Sequence, residues 1–211
     1  MPAHIPHLLL PGPWEADRLR VSEGQRSHLE KVLRRSGSEP ITYTDGEGSF
    51  GTGDYDAAEV IRGEERRVPR PTDLVVVVAP PDSRDRVRFM VEKLAELGVA
   101  ELNFLATKHG RGRPPKPERL RSWAVSGLEQ SAGAWLMRTP RGLISLSDLE
   151  PPYAVCDIGG SRVIPSARTV VIGPEGGWSA GEIPEEAVRY DLGETVLRVE
   201  TAALVAAARM V

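Results

Sequence analysis

Two segments near the C-terminal end of the chain combine glycine turns with residues able to act on a ligand. The first is Val171-Ile172-Gly173-Pro174-Glu175-Gly176-Gly177-Trp178-Ser179, and the second is Leu192-Gly193-Glu194-Thr195-Val196-Leu197-Arg198-Val199-Glu200-Thr201-Ala202-Ala203. Each is expected to be a short apolar strand that breaks into a glycine turn and then opens a helix. Turns at the carboxyl ends of parallel strands bind nucleotide-like ligands, so the pair points to one composite pocket. Glycines let backbone amides approach a ligand with no Cβ in the way. In the first segment no Gly-Lys-Ser/Thr follows and Gly-x-Gly-x-x-Gly is lacking, so it matches neither familiar phosphate loop. An adenosyl or nucleoside group held by backbone atoms suits the first segment better, with a plain strand-to-helix turn as the competing reading. In the second, backbone groups at Leu192-Gly193 are placed to read an adenine edge, with Leu192 and Leu197 on its faces. Arg198 lies between Leu197 and Val199 in an apolar strand and needs a partner there: Glu200, a ligand carboxylate or a substrate oxygen. Glu200 and Thr201 either serve the ligand or cap the helix that follows.

The composition is that of an ordinary globular protein: 211 residues, 27% charged and 40% hydrophobic. No apolar run approaches the roughly 20 residues that span a bilayer, and no signal-peptide pattern opens the chain; a cytoplasmic protein with no membrane partner is expected. The lone cysteine, Cys156, excludes an internal disulfide and a cysteine-cluster metal site. It sits in an apolar run and is expected to be a packed core thiol; no metal is expected. The net charge is −3, yet residues 108–141 hold eight Lys/Arg against two Glu, while residues 142–211 hold five Arg against ten Asp/Glu. A basic stretch inside an acidic chain grips phosphates locally or is a solvated face.

The first 65 or so residues are turn-rich. Residues 41–44 make a strand ahead of Asp45-Gly46-Glu47-Gly48, a hairpin signal. Residues 27–35 predict a short helix with Leu29, Val32 and Leu33 on one side and Ser27 as N-cap. A small β-barrel with one helix fits, and residues 66–71, with two prolines, form the natural linker. From Thr72 the pattern becomes alternating strands and helices: strands at 74–78, 101–106, 153–156 and 169–172, and helices at 82–97 (ended by Gly98), 117–132, 181–188 (capped by Ser179) and 202–210 (opened by Thr201). Such alternation implies a parallel sheet with helices on both faces. The expected domains are residues 1–68 and 72–211, and residues 110–115 are the expected mobile loop.

The combination Ile-Gly-Pro-Glu-Gly-Gly-Trp-Ser at 172–179 and Leu-Gly with Leu-Arg-x-Glu-Thr-Ala at 192–202 closely resembles the second and third knot motifs of the SPOUT methyltransferases, and among these the RsmE family. Residues 92–99 (Glu-Lys-Leu-Ala-Glu-Leu-Gly-Val) and 129–131 extend the likeness, as do His28-Leu29 with Val32-Leu33-Arg34 and Asp45-Gly46-x-Gly48 in the N-terminal part. The resemblance implies an α/β fold with an N-terminal PUA-like RNA-binding β-barrel and a SPOUT domain holding a parallel sheet and a deep C-terminal trefoil knot. It implies S-adenosylmethionine as cofactor, 16S rRNA or the 30S subunit as partner, a homodimer with the residue 202–208 helix as candidate interface element, and methylation of a uridine N3. The chain departs from the family pattern at Ser83, where a Lys is usual, at Thr107-Lys108-His109-Gly110, where His109 takes an Arg position, at Ser126 and at His7.

On that resemblance Ile172, Gly173, Pro174, Glu175, Gly176, Gly177, Leu192, Gly193, Leu197 and Thr201 hold the cofactor. Arg198 stabilises charge developing on the imide, and Glu200 is either a general base or a structural carboxylate. His28, Arg34, Arg35, Arg86, Lys108, Arg111 and Arg113 are the candidate RNA contacts. Two rivals stand beside this reading: a SPOUT enzyme with another RNA target, such as a ribose 2′-oxygen, and a divergent relative that binds RNA or methyl donor without catalysis.

Overall fold

The structure, a computed structural model, describes residues 5–33 and 38–211. The chain divides into two compact units: residues up to 70 together with 128–136, and residues 71–127 together with 137–211. No contiguous reading of the chain anticipates that 128–136 join the first unit.

The first unit contains β1 (His7–Leu9), β2 (Arg18–Arg20), α1 (Glu23–Leu33), β3 (Glu39–Thr44), β4 (Ser49–Asp56) and β5 (Glu59–Arg67). These strands form one mixed sheet in the order β1-β3-β4-β5-β2, with β1 and β3 parallel and the other neighbours antiparallel. The expected barrel is thus a curled half-barrel with β1 and β2 at its edges. The hairpin signalled by Asp45-Gly46 is present: the Asp45 carboxylate accepts the amides of Glu47 (2.7 Å) and Ser49 (2.9 Å), and Gly46 and Gly48 take φ of +78° and +97°. Leu8, Leu10, Leu29, Ile41, Tyr43, Tyr55 and Val60 make the core. Helix α1 starts earlier than expected, and Ser27 lies inside it rather than at its cap. Ser22 and Gln25 cap it instead, each side chain accepting the other's amide at 3.3 and 3.0 Å. The side chains of Val32 and Leu33, and Arg34 and Arg35 entirely, lie outside the described residues.

His7, a departure from the family pattern on its presumed RNA-facing side, is buried. Its Nε2 donates to the Gly133 carbonyl at 2.9 Å and its Nδ1 lies 2.8 Å from the Thr42 hydroxyl; burial lowers its pKa against the raising effect of the Gly133 bond. It is a neutral structural histidine. Glu129 accepts the Leu9 amide at 3.0 Å, and Ala134 accepts the Gly48 amide at 2.9 Å. Segment 128–136 is therefore bonded to the sheet on both β1 and the hairpin turn.

The second unit contains β6 (Val75–Val78), α2 (Arg84–Glu96), β7 (Glu101–Leu105), α3 (Pro117–Ser131, whose last turn belongs to the first unit), β8 (Leu143–Ile144), β9 (Ala154–Ser161), β10 (Thr169–Ile172), β11 (Val188–Tyr190) and α4 (Val199–Met210). The sheet is wholly parallel, in the order β11-β9-β10-β6-β7-β8. Val76, Val77, Val78, Val170 and Val171 are fully buried, as a strand covered on both faces requires. Val87, Met90, Val91 and Leu94 recur at helical spacing and are buried in α2, which packs against α4.

Two expected elements differ. No helix forms over 181–188. Gly181 takes φ +71°, and Ile183 precedes Pro184, which disfavours helical backbone there; the segment runs in turns, and its end becomes β11. The final helix opens at Val199 with Arg198 as N-cap, so Thr201 sits exposed in the first turn instead of capping it. Its alanine face, Ala202, Ala203, Ala206 and Ala207, is buried inside the unit against α2, β6 and β10. Residues 110–115 carry no regular structure. No helix among the described residues is long and apolar enough to cross a membrane.

Leu94 is completely buried in α2. Leu94→Ala is expected to cost about 2–5 kcal/mol through lost burial and the cavity it leaves. The shift of the urea midpoint at unchanged m-value measures it; a loss under about 1 kcal/mol would show that the buried face of α2 does not anchor this unit.

Candidate functional site

In a parallel sheet every carboxyl end lies on one edge, so the loops after β6, β7, β9, β10 and β11 meet there. Two adjoining cavities occupy that edge. The first, of about 210 Å³, is walled by the loop after β10 (Gly173, Pro174, Glu175, Gly177, Trp178), the loop after β11 (Asp191 to Leu197) and the Cys156–Ile158 stretch of β9. Its walls are mostly apolar side chains and glycine backbone, with Asp157, Glu175, Asp191 and Thr195 among them. Trp178 packs behind its glycine loop and donates from Nε1 to the Cys156 carbonyl at 3.2 Å. Burial pushes the Cys156 thiol up to about 12, so it is a neutral wall group and no nucleophile. The Tyr190 hydroxyl is buried and has no hydrogen-bond partner among the described residues.

The second cavity, of about 330 Å³, is polar. Pro80, Pro81 and Asp82 after β6, Lys108 to Arg111 after β7, and Pro174 to Gly176 line it, and Val199 closes it. Pro174, Glu175 and Val199 are common to both cavities. Behind this shared wall Arg86 of α2 makes a short ion pair with Glu175 and lies 3.6 Å from Glu200. The Glu175 carboxylate, with Glu200 and Asp82 adding to it, raises the Arg86 pKa further against partial desolvation. Glu200 is buried, and its Oε2 has no hydrogen-bond partner among the described residues.

The structure brings most of the expected residues together. Ile172, Gly173, Pro174, Glu175, Gly177, Leu192, Gly193 and Leu197 line the first cavity; Gly176 faces the second, and Thr201 lines neither. Lys108 and Arg111 are on the rim of the second, while Arg113 is exposed further along the same loop. Arg86, expected to touch RNA, is engaged by two carboxylates. Arg198, expected in an apolar strand, is instead exposed on a loop ahead of α4, where burial imposes no partner; its carbonyl accepts the Ala202 amide at 2.8 Å, and no hydrogen bond or ion pair engages its side chain among the described residues. Ser83 is the N-cap of α2 but makes no side-chain cap bond. His28 is exposed on α1.

Asp191 escaped the sequence reading. It accepts the Gly193 amide at 2.9 Å and the Gly159 amide at 3.3 Å, joining the loop after β11 to strand β9. The Gly193 bond is the main cause of its lowered pKa, with Gly159 and Arg162 adding to it against desolvation. Asp two residues ahead of an amide it bonds is an Asx turn, and Asp191-Leu192-Gly193 carries that signal. The first unit also shows an unforeseen aromatic and basic surface: Arg66 lies over Phe50 (5.1 Å), and Arg67 and Arg70 lie over Trp135 (5.8 and 4.2 Å).

The family model described as RNA methyltransferase domain matches residues 68–149 and 159–211. No match is found among curated proteins. Among solved structures, ribosomal RNA small subunit methyltransferase E from Neisseria gonorrhoeae, bound to S-adenosyl methionine, is 26% identical with a TM-score of 0.84, covering 98% of this chain and 97% of that one. A probable rRNA-methyltransferase from Porphyromonas gingivalis is also 26% identical, with a TM-score of 0.78 and the same coverage, 98% and 97%. A putative methyltransferase from Legionella pneumophila, solved with bound SAM, shares the fold at 22% identity and a TM-score of 0.82, covering 99% and 97%.

A carboxylate whose pKa is lowered on folding contributes stability above its unfolded value and loses it as pH falls through its folded value. The stability gap between wild type and Asp191→Asn is therefore expected to be full at neutral pH and to close below the ordinary carboxylate range. Melting temperatures across a pH series measure it; a gap that widens on acidification would overturn the assignment.

Proposed function

The chain belongs to the RNA methyltransferase family, among the RsmE-type members of the SPOUT class, and we propose that it methylates N3 of a uridine in the decoding region of 16S rRNA, using S-adenosylmethionine. The observation that carries this reading is the shared wall: an apolar, backbone-lined cavity and a polar, basic-rimmed one meet at Pro174, Glu175 and Val199. A methyl transfer needs donor and acceptor in adjoining compartments at attacking distance.

The first cavity suits the donor. Ile172, Leu192 and Leu197 offer faces for an adenine, and the loops at 173–177 and 192–193 offer backbone groups for its edge. When bound, S-adenosylmethionine supplies an electrophilic methyl group. The chain's part is to position and charge the acceptor. A uridine N3 must lose its proton, leaving negative charge over O2, N3 and O4, and Arg198, exposed and unengaged beside the shared wall, stabilises that charge. Glu200, buried behind the shared wall with Arg86 3.6 Å from its Oε2, takes the proton, and Arg86 holds its carboxylate in place. A C-terminal trefoil knot, threading segments 173–178 and 192–201 around one donor, belongs to the same reading.

The target base must leave its stack to reach the second cavity. Lys108, Arg111 and Arg113 take phosphate or base oxygens there, and His28, Arg66 and Arg70 contribute from the first unit, so RNA binding weakens steeply with salt. The substrate is the rRNA or the 30S particle, met in the cytoplasm. We also propose a homodimer. Since the alanine face of α4 is used within the chain, the exposed apolar residues Ile158 (75%), Val163 (78%) and Val196 (83%) are the better candidates for its interface.

Mass spectrometry of rRNA nucleosides is expected to show 3-methyluridine lost when the gene is deleted and restored by wild type but not by Arg198→Ala, with purified Arg198→Ala keeping its donor affinity by calorimetry. Unchanged 3-methyluridine in the deletion overturns the target, and donor binding that falls in parallel with turnover removes Arg198 from the catalytic role. Light scattering is expected to give a mass of two chains, reduced to one by Val163→Glu; a single-chain mass for wild type at micromolar concentration excludes the dimer.

A further inference from the structure

Two of the loops that line the polar cavity, those after β7 and β10, are far apart in sequence, and one carboxylate outside both cavities joins them. Glu182 Oε1 accepts the backbone amide of Lys108 at 2.9 Å, and its Oε2 accepts the amide of Ser179 at 2.8 Å. The second bond belongs to a local turn, in which the Glu182 amide also donates to the Ser179 carbonyl at 3.0 Å. The first does not, since it reaches a loop 74 residues away. The same junction is stitched twice more. The Ser179 hydroxyl and His109 Nε2 are 2.9 Å apart, and Gly176 lies so close to His109 that a Cβ there would stand 3.0 Å from His109 Cβ. Partial burial opposes charge on Glu182, yet the Ser179 and Lys108 amides, the Ser179 hydroxyl and the Lys108 ammonium together hold its carboxyl below the usual range.

A turn needs no carboxylate that reaches across the sheet edge, and a solvated glutamate would not spend both oxygens on backbone amides. What the two bonds do is hold Lys108, His109 and Arg111 against Pro174, Glu175 and Gly176, which are the facing walls of the polar cavity. We infer that Glu182 is a positioning residue: it clamps the loop after β7 to the loop after β10, sets the spacing of the acceptor cavity, and couples it to the donor cavity through the loop the two share. The occupant named here, a target nucleotide beside a methyl donor, rests on the proposed function, whereas the clamp itself does not. Coupling of this kind is reciprocal. Donor binding on the glycine loop tightens RNA binding, and RNA tightens the donor by the same factor, expected to be about fivefold or more.

Two measurements test it on the full-length protein. Hydrogen exchange of segment 107–111 is expected to speed up in Glu182→Gln, which keeps one acceptor oxygen and loses the other, while the β6 and β10 strands stay protected. Unchanged exchange there overturns the clamp whether or not the protein methylates RNA. Donor affinity, by calorimetry with S-adenosylmethionine, and RNA affinity, by anisotropy with a labelled 16S rRNA fragment, are then measured singly and together. In Glu182→Gln donor affinity alone is expected to stay within twofold, the coupling factor to fall to about one, and kcat/KM for RNA to drop about tenfold or more. A retained coupling factor, or donor affinity lost in step with RNA affinity, overturns the positioning role. Faster exchange in the variant, in a wild type that transfers no methyl group, would keep the clamp and sink the proposed function alone. Should Glu182→Gln not fold, Glu182→Asp serves, since a carboxylate one methylene shorter cannot reach both amides.

Discussion

Everything at the candidate site depends on the parallel alignment of β10 between β6 and β9. Pairing of Thr169–Ile172 with Val75–Val78 on one side and with Ala154–Cys156 on the other points three carboxyl ends the same way. Such strands are exposed on neither face, and α4 packs on β6 and β10 with α2 against it. With the strand ends in one row, their loops have nowhere else to go, and cavities form between them.

Loops without regular structure still have backbone amides to satisfy, and this protein does so repeatedly with carboxylates. Asp45 takes two amides of its hairpin, Asp191 ties the loop after β11 to strand β9, and Glu182 ties the loop after β10 to that after β7. Each lowers its own pKa in doing so. The acidic balance of the C-terminal part is thus partly spent on fixing main chain. Arg86 plays the opposite part, a cation behind the shared wall that balances Glu175 and Glu200 where unpaired charge would be costly.

Much of the fold was legible because its strongest signals are local. The valine run at 75–78, the helical spacing of Val87, Met90, Val91 and Leu94, and the Asp-Gly hairpin each depend on neighbours a few residues away. The glycine segments are legible for the same reason, and both line the first cavity at the sheet edge. The failures share a cause too. A helix over 181–188 has acceptable composition but is broken by Gly181 and Pro184, and the Ser22/Gln25 cap competes with Ser27 on equal local terms.

The amino-acid sequence by itself determined the alternation of strands and helices, the glycine loops and the family, because these follow from periodicity and from side chains a few positions apart. Only the tertiary structure decided that Arg86 serves two carboxylates, that His7 is buried and neutral, that Arg198 is exposed, and that Glu182 reaches Lys108. Partners separated by tens of residues meet only after the sheet has set its register, and no local pattern encodes which donor will face which acceptor.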